Sequence, residues 1–299
     1  MLVVMYHYIR EDNSDYPNFK NLTIDQFKKQ IDFFYDTYGL ISKEDFIRSI
    51  ETKTPVKEGV VLTFDDGFKD HYNNVLPILN EKKLWGCFYI PTGHYGDQKI
   101  LNVHRVHHLL GKYDANNLLK DCMKLIDVSM LDEDKIQQFD KEIYKDQQLS
   151  SFEYQFKRLF NYYLRDEFKT LILDTISKSY LDEAELYKSM YMTKNELIEI
   201  ENQGSIVGSH TKTHPVLSTL SDVQQHDEIF DSFAFLDSFL RVPLRSFCYP
   251  YGGPSSYNKN TFDILEKCDV HHAFAVGNKQ LEIPHYKYEL TRMDCNRIC

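Results

Sequence analysis

The chain has 299 residues, 42% hydrophobic and 27% charged, enough to bury a full core in one or two domains. A formal net charge of −10, with lysines scattered rather than clustered, excludes a phosphate-binding groove and so a nucleic-acid partner. No apolar run approaches the ~20 residues of a membrane helix, and the six cysteines contain no C-x-x-C pair that would call for a redox or clustered metal role.

The chain opens Met1-Leu-Val-Val-Met-Tyr-His7, without a basic leader, a long apolar segment or a small-residue cleavage site, which predicts a cytoplasmic protein. Leu2–Met5 reads as a buried strand. Thr23 with Gln26 three residues later is a capping box, and Phe27, Ile31, Phe34 and Tyr35 keep helical spacing until Gly39. A second helix is expected from Ser42 through Phe46, Ile47 and Ile50. A strand over Val60–Thr63, a helix from about Lys69 to Lys83 and a strand over Leu84–Ile90 follow. This alternation predicts an α/β fold with a parallel sheet closed or nearly closed by helices.

From residue 97 to 189 the period is helical throughout, as in Val103, Val106, Leu109 and Leu110, or Phe156, Leu159, Phe160 and Tyr163. This stretch reads as a helical insertion and a candidate lid, carried by a domain built from residues 1–96 and 190–299. His104, His107 and His108 within it are expected to be partly exposed. Alternation then returns: a capping box at Thr193 and Glu196, a strand near Gly204–Gly208, and a box at Ser221 and Gln224 opening a helix to about Leu240. A strand at Ser246–Tyr249, a helix near Asn258–Cys268 and a strand at Ala273–Val276 complete the pattern.

Chemistry concentrates where strands hand over to loops. Asp65-Asp66-Gly67 ends one apolar run, His210 and His214 follow another, and Arg245 leads through a third to Pro250-Tyr251-Gly252-Gly253. Singly, these read as a solvated strand end, surface histidines and a tight turn. Jointly, one acid and two imidazoles make a three-ligand set that leaves positions open on a divalent ion, zinc first, with cobalt and nickel as alternatives. The four-residue spacing predicts both rings on one side of a helical turn.

The block Thr63-Phe-Asp-Asp-Gly67, then His-x-x-x-His, then Arg-x-x-x-x-Pro-Tyr-Gly resembles, in that order, the polysaccharide deacetylase family, carbohydrate esterases sharing the NodB homology region. The resemblance covers roughly residues 1–96 and 190–299. It implies a distorted (β/α) barrel with its active site at the carboxyl ends of the strands. It also implies Asp66, His210 and His214 as metal ligands and Asp65 as the general base toward water. Arg245 would orient that base, and the Tyr251 backbone N–H would hold the oxyanion. The family's Leu-x-His motif and Asp-Trp pair are missing. His7, after Tyr6, resembles the N-terminal Tyr-His of biofilm-exopolysaccharide deacetylases and is the favoured proton donor to the leaving amine, with His285 second. Arg292 and Asp294 resemble that subgroup's Arg-x-Asp, either bracing the site or pairing with each other. His94 and Tyr95 are weaker candidates for ligand contact.

The expected function is metal-dependent removal of an N-acetyl group from an amino sugar or glycan precursor. The alternatives are a deformylase or other C–N amide hydrolase on a small molecule, and a non-catalytic, metal-containing sugar-binding protein. A cytoplasmic location would favour a nucleotide-linked, lipid-linked or small soluble sugar over an extracellular polymer.

Overall fold

The computed structural model describes residues 1–53, 58–139, 149–241, 244–277 and 287–298. Seven parallel strands among them close into a barrel in sequence order: β1 (Leu2–Tyr6), β2 (Val60–Phe64), β3 (Cys87–Ile90), β4 (Ile206–Ser209), β5 (Ser246–Cys248), β6 (His272–Val276) and β7 (Leu290–Asp294). β1 and β2 pair over five positions, from Leu2↔Val60 to Tyr6↔Phe64, whereas β7 meets β1 at Val4↔Met293 and Met5↔Asp294. Both faces of β1 and β2 are covered, which is why they read as unbroken apolar runs. Successive residues face opposite sides: Val3 and Val61 join Tyr89, Ile206 and Phe274, while Val4, Tyr6 and Leu62 pack on Phe27, Ile31 and Phe34.

β7 was not foreseen as a strand. Its segment Leu290-Thr-Arg-Met-Asp294 places a buried arginine where alternation would lead one to expect an apolar residue. The helix after β2 also differs from expectation, since a π-helical turn at His71–Val75 runs into an α-helix at Leu76–Glu81. The capping boxes at Thr23, Thr193 and Ser221 form as read, and Asn258 caps a further helix, Lys259–Lys267.

The chain divides into two compact units, one comprising Met1–Glu11, Asn21–Gly96 and Met190–Cys299, the other Asp12–Lys20 and Asp97–Ser189. The first holds the barrel. The second packs its own core, with Val106, Leu109, Leu118, Phe156, Phe160 and Leu173 meeting from several helices. Within it His104 and His108 are buried, against the expectation of partial exposure, and the His108 ring packs between Tyr16 and Phe19. No described helix is long and apolar enough to cross a membrane. Five cysteines are free and buried; Cys299 lies outside the described residues.

Candidate active site

In a parallel barrel every strand delivers its following loop to the same end. His7 follows β1, Asp65 and Asp66 follow β2, His210 follows β4, and Tyr249–Gly252 follow β5. Four non-glycine residues of these loops hold left-handed backbone: Asp66 (φ 75°), Thr211 (66°), His214 (61°) and Tyr251 (63°). Such conformations cost about 1 kcal/mol or more each and persist where the surroundings enforce them. They also correct the helical-turn expectation for His210–His214: that segment is a loop whose two left-handed residues turn the rings toward each other, with centroids 4.8 Å apart. Gly252 (φ 65°) is restricted further, because a Cβ there would lie 2.4 Å from Val276 Cγ2.

The three proposed ligands converge. Asp66 Oδ1 stands 3.4 Å from His214 Nε2 and 3.7 Å from His210 Nε2, all three residues being buried. Ligand atoms bound tetrahedrally at about 2.1 Å stand about 3.4 Å apart, so the donor set fits a divalent ion in both chemistry and spacing. His210 Nδ1 lies 2.8 Å from the Cys248 carbonyl, which can only accept; Nδ1 therefore carries the proton and Nε2 presents its lone pair toward Asp66. Burial lowers the pKa of His210 by more than the neighbouring Asp65 and Asp66 raise it, which favours the neutral ring that ligation requires.

Asp65 has a different surrounding. It is 1% exposed, and the fully buried Arg292 grips it through two parallel hydrogen bonds, Nη1 to Oδ1 at 2.7 Å and Nη2 to Oδ2 at 2.6 Å. Arg292 also donates to Thr63 Oγ1 and touches Cys248 Sγ at 2.7 Å. Burial alone would raise the pKa of Asp65, but the charge and hydrogen bonds of Arg292 outweigh it, aided by His210 and His7. The carboxyl is held below its usual range. Asp65, His210 and Cys248 form a second close group of donors, yet the guanidinium lying against Asp65 and Cys248 would repel a cation there.

Arg245 therefore does not orient the base. It immediately precedes β5, at the amino end of that strand and the opposite end of the barrel from the site, and its guanidinium donates to Asp237 and to the Cys268 carbonyl. Arg292 takes that place from β7. Asp294 pairs neither with Arg292 nor with the site, accepting instead from Asn296 N–H as a cap. His7 Nε2 is 3.9 Å from Asp65 Oδ2 with its side chain 38% exposed, so it lies near Asp65 and opens to solvent. The Tyr251 ring lies 5.1 Å from the His214 ring. His285 lies outside the described residues. His94 is buried, its ring stacked on Tyr191 and close to Tyr95, whose hydroxyl donates to the Met192 carbonyl, so both serve internal packing. Cys248 Sγ lines the pocket around Asp65 and Arg292, and no local sequence pattern marks it.

The family model described as polysaccharide deacetylase matches residues 52–124 and 175–273, more than half of the chain. The chain belongs to the polysaccharide deacetylase family. Membership makes this polysaccharide deacetylase homologue a hydrolase of the deacetylase kind and carbohydrate its class of substrate. Asp65, Asp66, His210, His214, Arg245 and Tyr251 fall inside the matched residues, His7 and Arg292 outside. Similar solved structures include the deacetylase PplD of Streptococcus pyogenes in complex with acetate, at 19% identity, TM-score 0.61, covering 98% of this chain and 91% of that one. A de-N-acetylase from Aggregatibacter actinomycetemcomitans (16%, TM-score 0.57, 98% and 93%) and IcaB from Ammonifex degensii (15%, TM-score 0.58, 98% and 90%) are similar too. At these identities the likeness is one of fold. No curated protein matches the chain.

Proposed function

We propose that this family member is a metal-dependent N-deacetylase of an amino sugar or glycan precursor. The observation that carries the reading is a carboxylate kept ionised in a buried pocket by Arg292, next in sequence to Asp66, which faces two neutral-capable imidazoles. Asp66, His210 and His214 would hold the ion, zinc first, which when bound supplies Lewis acidity toward an acyl oxygen and makes water easier to deprotonate. Asp65 accepts the proton of the attacking water; its carboxylate has lone pairs beyond the two engaged by Arg292. The Tyr251 N–H is offered to the oxyanion from its left-handed turn. His7, reachable from solvent, hands a proton to the departing nitrogen as the C–N bond breaks, an amine anion being too poor a leaving group to depart alone. Products are acetate and a free amino sugar.

The test is acetate release from a panel of N-acetylated nucleotide sugars and short N-acetylated oligosaccharides by zinc- or cobalt-loaded protein. We expect release that stops on chelation and returns with metal. Absence of acetate from every member would defeat the reading; binding without release would favour the sugar-binding alternative, and formate release from formylated analogues the deformylase.

His7→Gln is expected to lower kcat about 100-fold, at the lower end for a proton-transfer group because solvent reaches this position. Its zinc affinity should remain that of wild type. Unchanged kcat would remove His7 from the mechanism.

A further inference from the structure

The His210–His214 turn is not self-supporting. Two of its residues are left-handed, and the N–H groups of Lys212 and Thr213, between the histidines, have no helix or strand to satisfy them. One side chain takes both. Glu228, on the helix Asp222–Asp237, accepts from Lys212 N–H at 2.9 Å and Thr213 N–H at 2.7 Å with a single oxygen, Oε2. Its other oxygen, Oε1, accepts from the Thr213 hydroxyl at 2.6 Å. The same helix holds the start of the turn, where Ser232 Oγ meets Ser209 Oγ at 2.8 Å and Ser209 Oγ accepts from Thr211 N–H. On the carbonyl side, Thr92 and Gly93 N–H donate to Thr211 and Lys212. Within the turn, His214 N–H donates to Thr211 Oγ1 at 3.1 Å.

We propose that Glu228 is a positioning residue for the metal centre: by clamping the backbone between His210 and His214 it fixes the separation of the two imidazoles at the spacing a divalent ion requires. It touches neither the ion nor the substrate. This inference rests on the reading of Asp66, His210 and His214 as metal ligands. A carboxylate two turns into a neighbouring helix supplies what the loop's own sequence lacks. Groups that orient metal ligands typically change affinity 10- to 100-fold when removed.

The hydrogen-bond account makes an unequal prediction for two substitutions. Glu228→Gln keeps a carbonyl oxygen for both backbone N–H groups and an amide that can donate to the Thr213 hydroxyl. Glu228→Leu keeps the bulk and loses every bond. Zinc affinity of the full chain, measured by competition with a chromophoric chelator, should fall 10- to 100-fold in Glu228→Leu and stay within about threefold of wild type in Glu228→Gln. The metal-free melting temperature and circular dichroism of both variants report whether the fold survives. A Glu228→Leu protein that is folded and binds zinc like wild type overturns the proposal. So does an equal loss in both variants, which would make the effect one of charge rather than of positioning. Should Glu228→Leu not fold, Thr213→Val, which deletes only the hydroxyl bond, must still weaken zinc binding measurably, or the clamp plays no part. Failure of wild type itself to bind zinc would sink the ligand assignment, and this inference with it; wild-type binding with an unaffected Glu228→Leu sinks the clamp alone.

Discussion

Asp65→Asn is expected to lower kcat by about 10³- to 10⁴-fold, the upper part of the range for a proton-transfer group, while leaving zinc affinity close to that of wild type. The asymmetry follows from the two neighbours' surroundings. Asp66 faces the imidazoles, whereas Asp65 faces Arg292, so removing the charge of Asp65 leaves the Asp66, His210 and His214 donors in place. An amide in this pocket still fits but cannot take a proton from water, and one of its ends presents N–H groups to the guanidinium. Stability should fall with activity, because Arg292 is then a fully buried cation facing a neutral partner. Steady-state acetate assays with metal titration would separate the two effects. A variant with wild-type kcat would show that Asp65 is not the base.

Arg292→Met should destabilise the fold by about 3–5 kcal/mol at neutral pH, the usual consequence of removing one partner from a buried ion pair. The guanidinium fills the barrel interior, within 5.5 Å of the Tyr89 ring centroid and 5.9 Å of Phe274, so methionine fills similar space and the loss is mainly electrostatic. In wild type the pKa of Asp65 is depressed, so its contribution to stability is present above the unfolded carboxylate value of about 3.9 and disappears as pH falls through the lower folded value. Without Arg292 only burial and the weaker influence of the histidines remain, and the pKa moves up. The folded variant then keeps its proton while the unfolded chain loses it, so the deficit grows as pH rises above about 4. Urea midpoints at pH 4 and pH 7 should therefore diverge from wild type mainly at the higher value. Equal midpoints at pH 7 would show that the pair contributes nothing to folding. Arg245→Met, by contrast, touches a partly exposed pair with Asp237 and a carbonyl contact, and a small effect is expected there.

What could be read from sequence was what is local. Thr23, Thr193 and Ser221 announce helix starts because both halves of a capping box lie within four residues. The convergence of Asp66, His210 and His214 was legible because an acid and two imidazoles are unusual at the ends of apolar runs. What escaped was decided by the closed barrel. Arg245 lies beside a strand candidate and Arg292 on a strand that no local pattern marks, and only strand direction and the 227-residue reach from β7 to β2 determine which one meets Asp65. The left-handed backbone at Thr211 and His214 was equally hidden, since no glycine marks either position and the supporting carboxylate of Glu228 comes from the next helix.

The join between β1 and β7 has a consequence for when the enzyme is armed. Asp65 stands on one flank of β1 and its counter-ion on the other, and the two flanks are fastened by just two register pairs on the β7 side. Any breathing that lifts β7 away carries the guanidinium with it and admits water, so the carboxylate stays ionised, as a free one does above about pH 4, but loses the two hydrogen bonds that hold it in place. Closure of the cylinder is thus an interlock. Incompletely assembled or locally frayed copies hold an unpositioned carboxylate, and the ordered pocket around Asp65 arrives with the final strand.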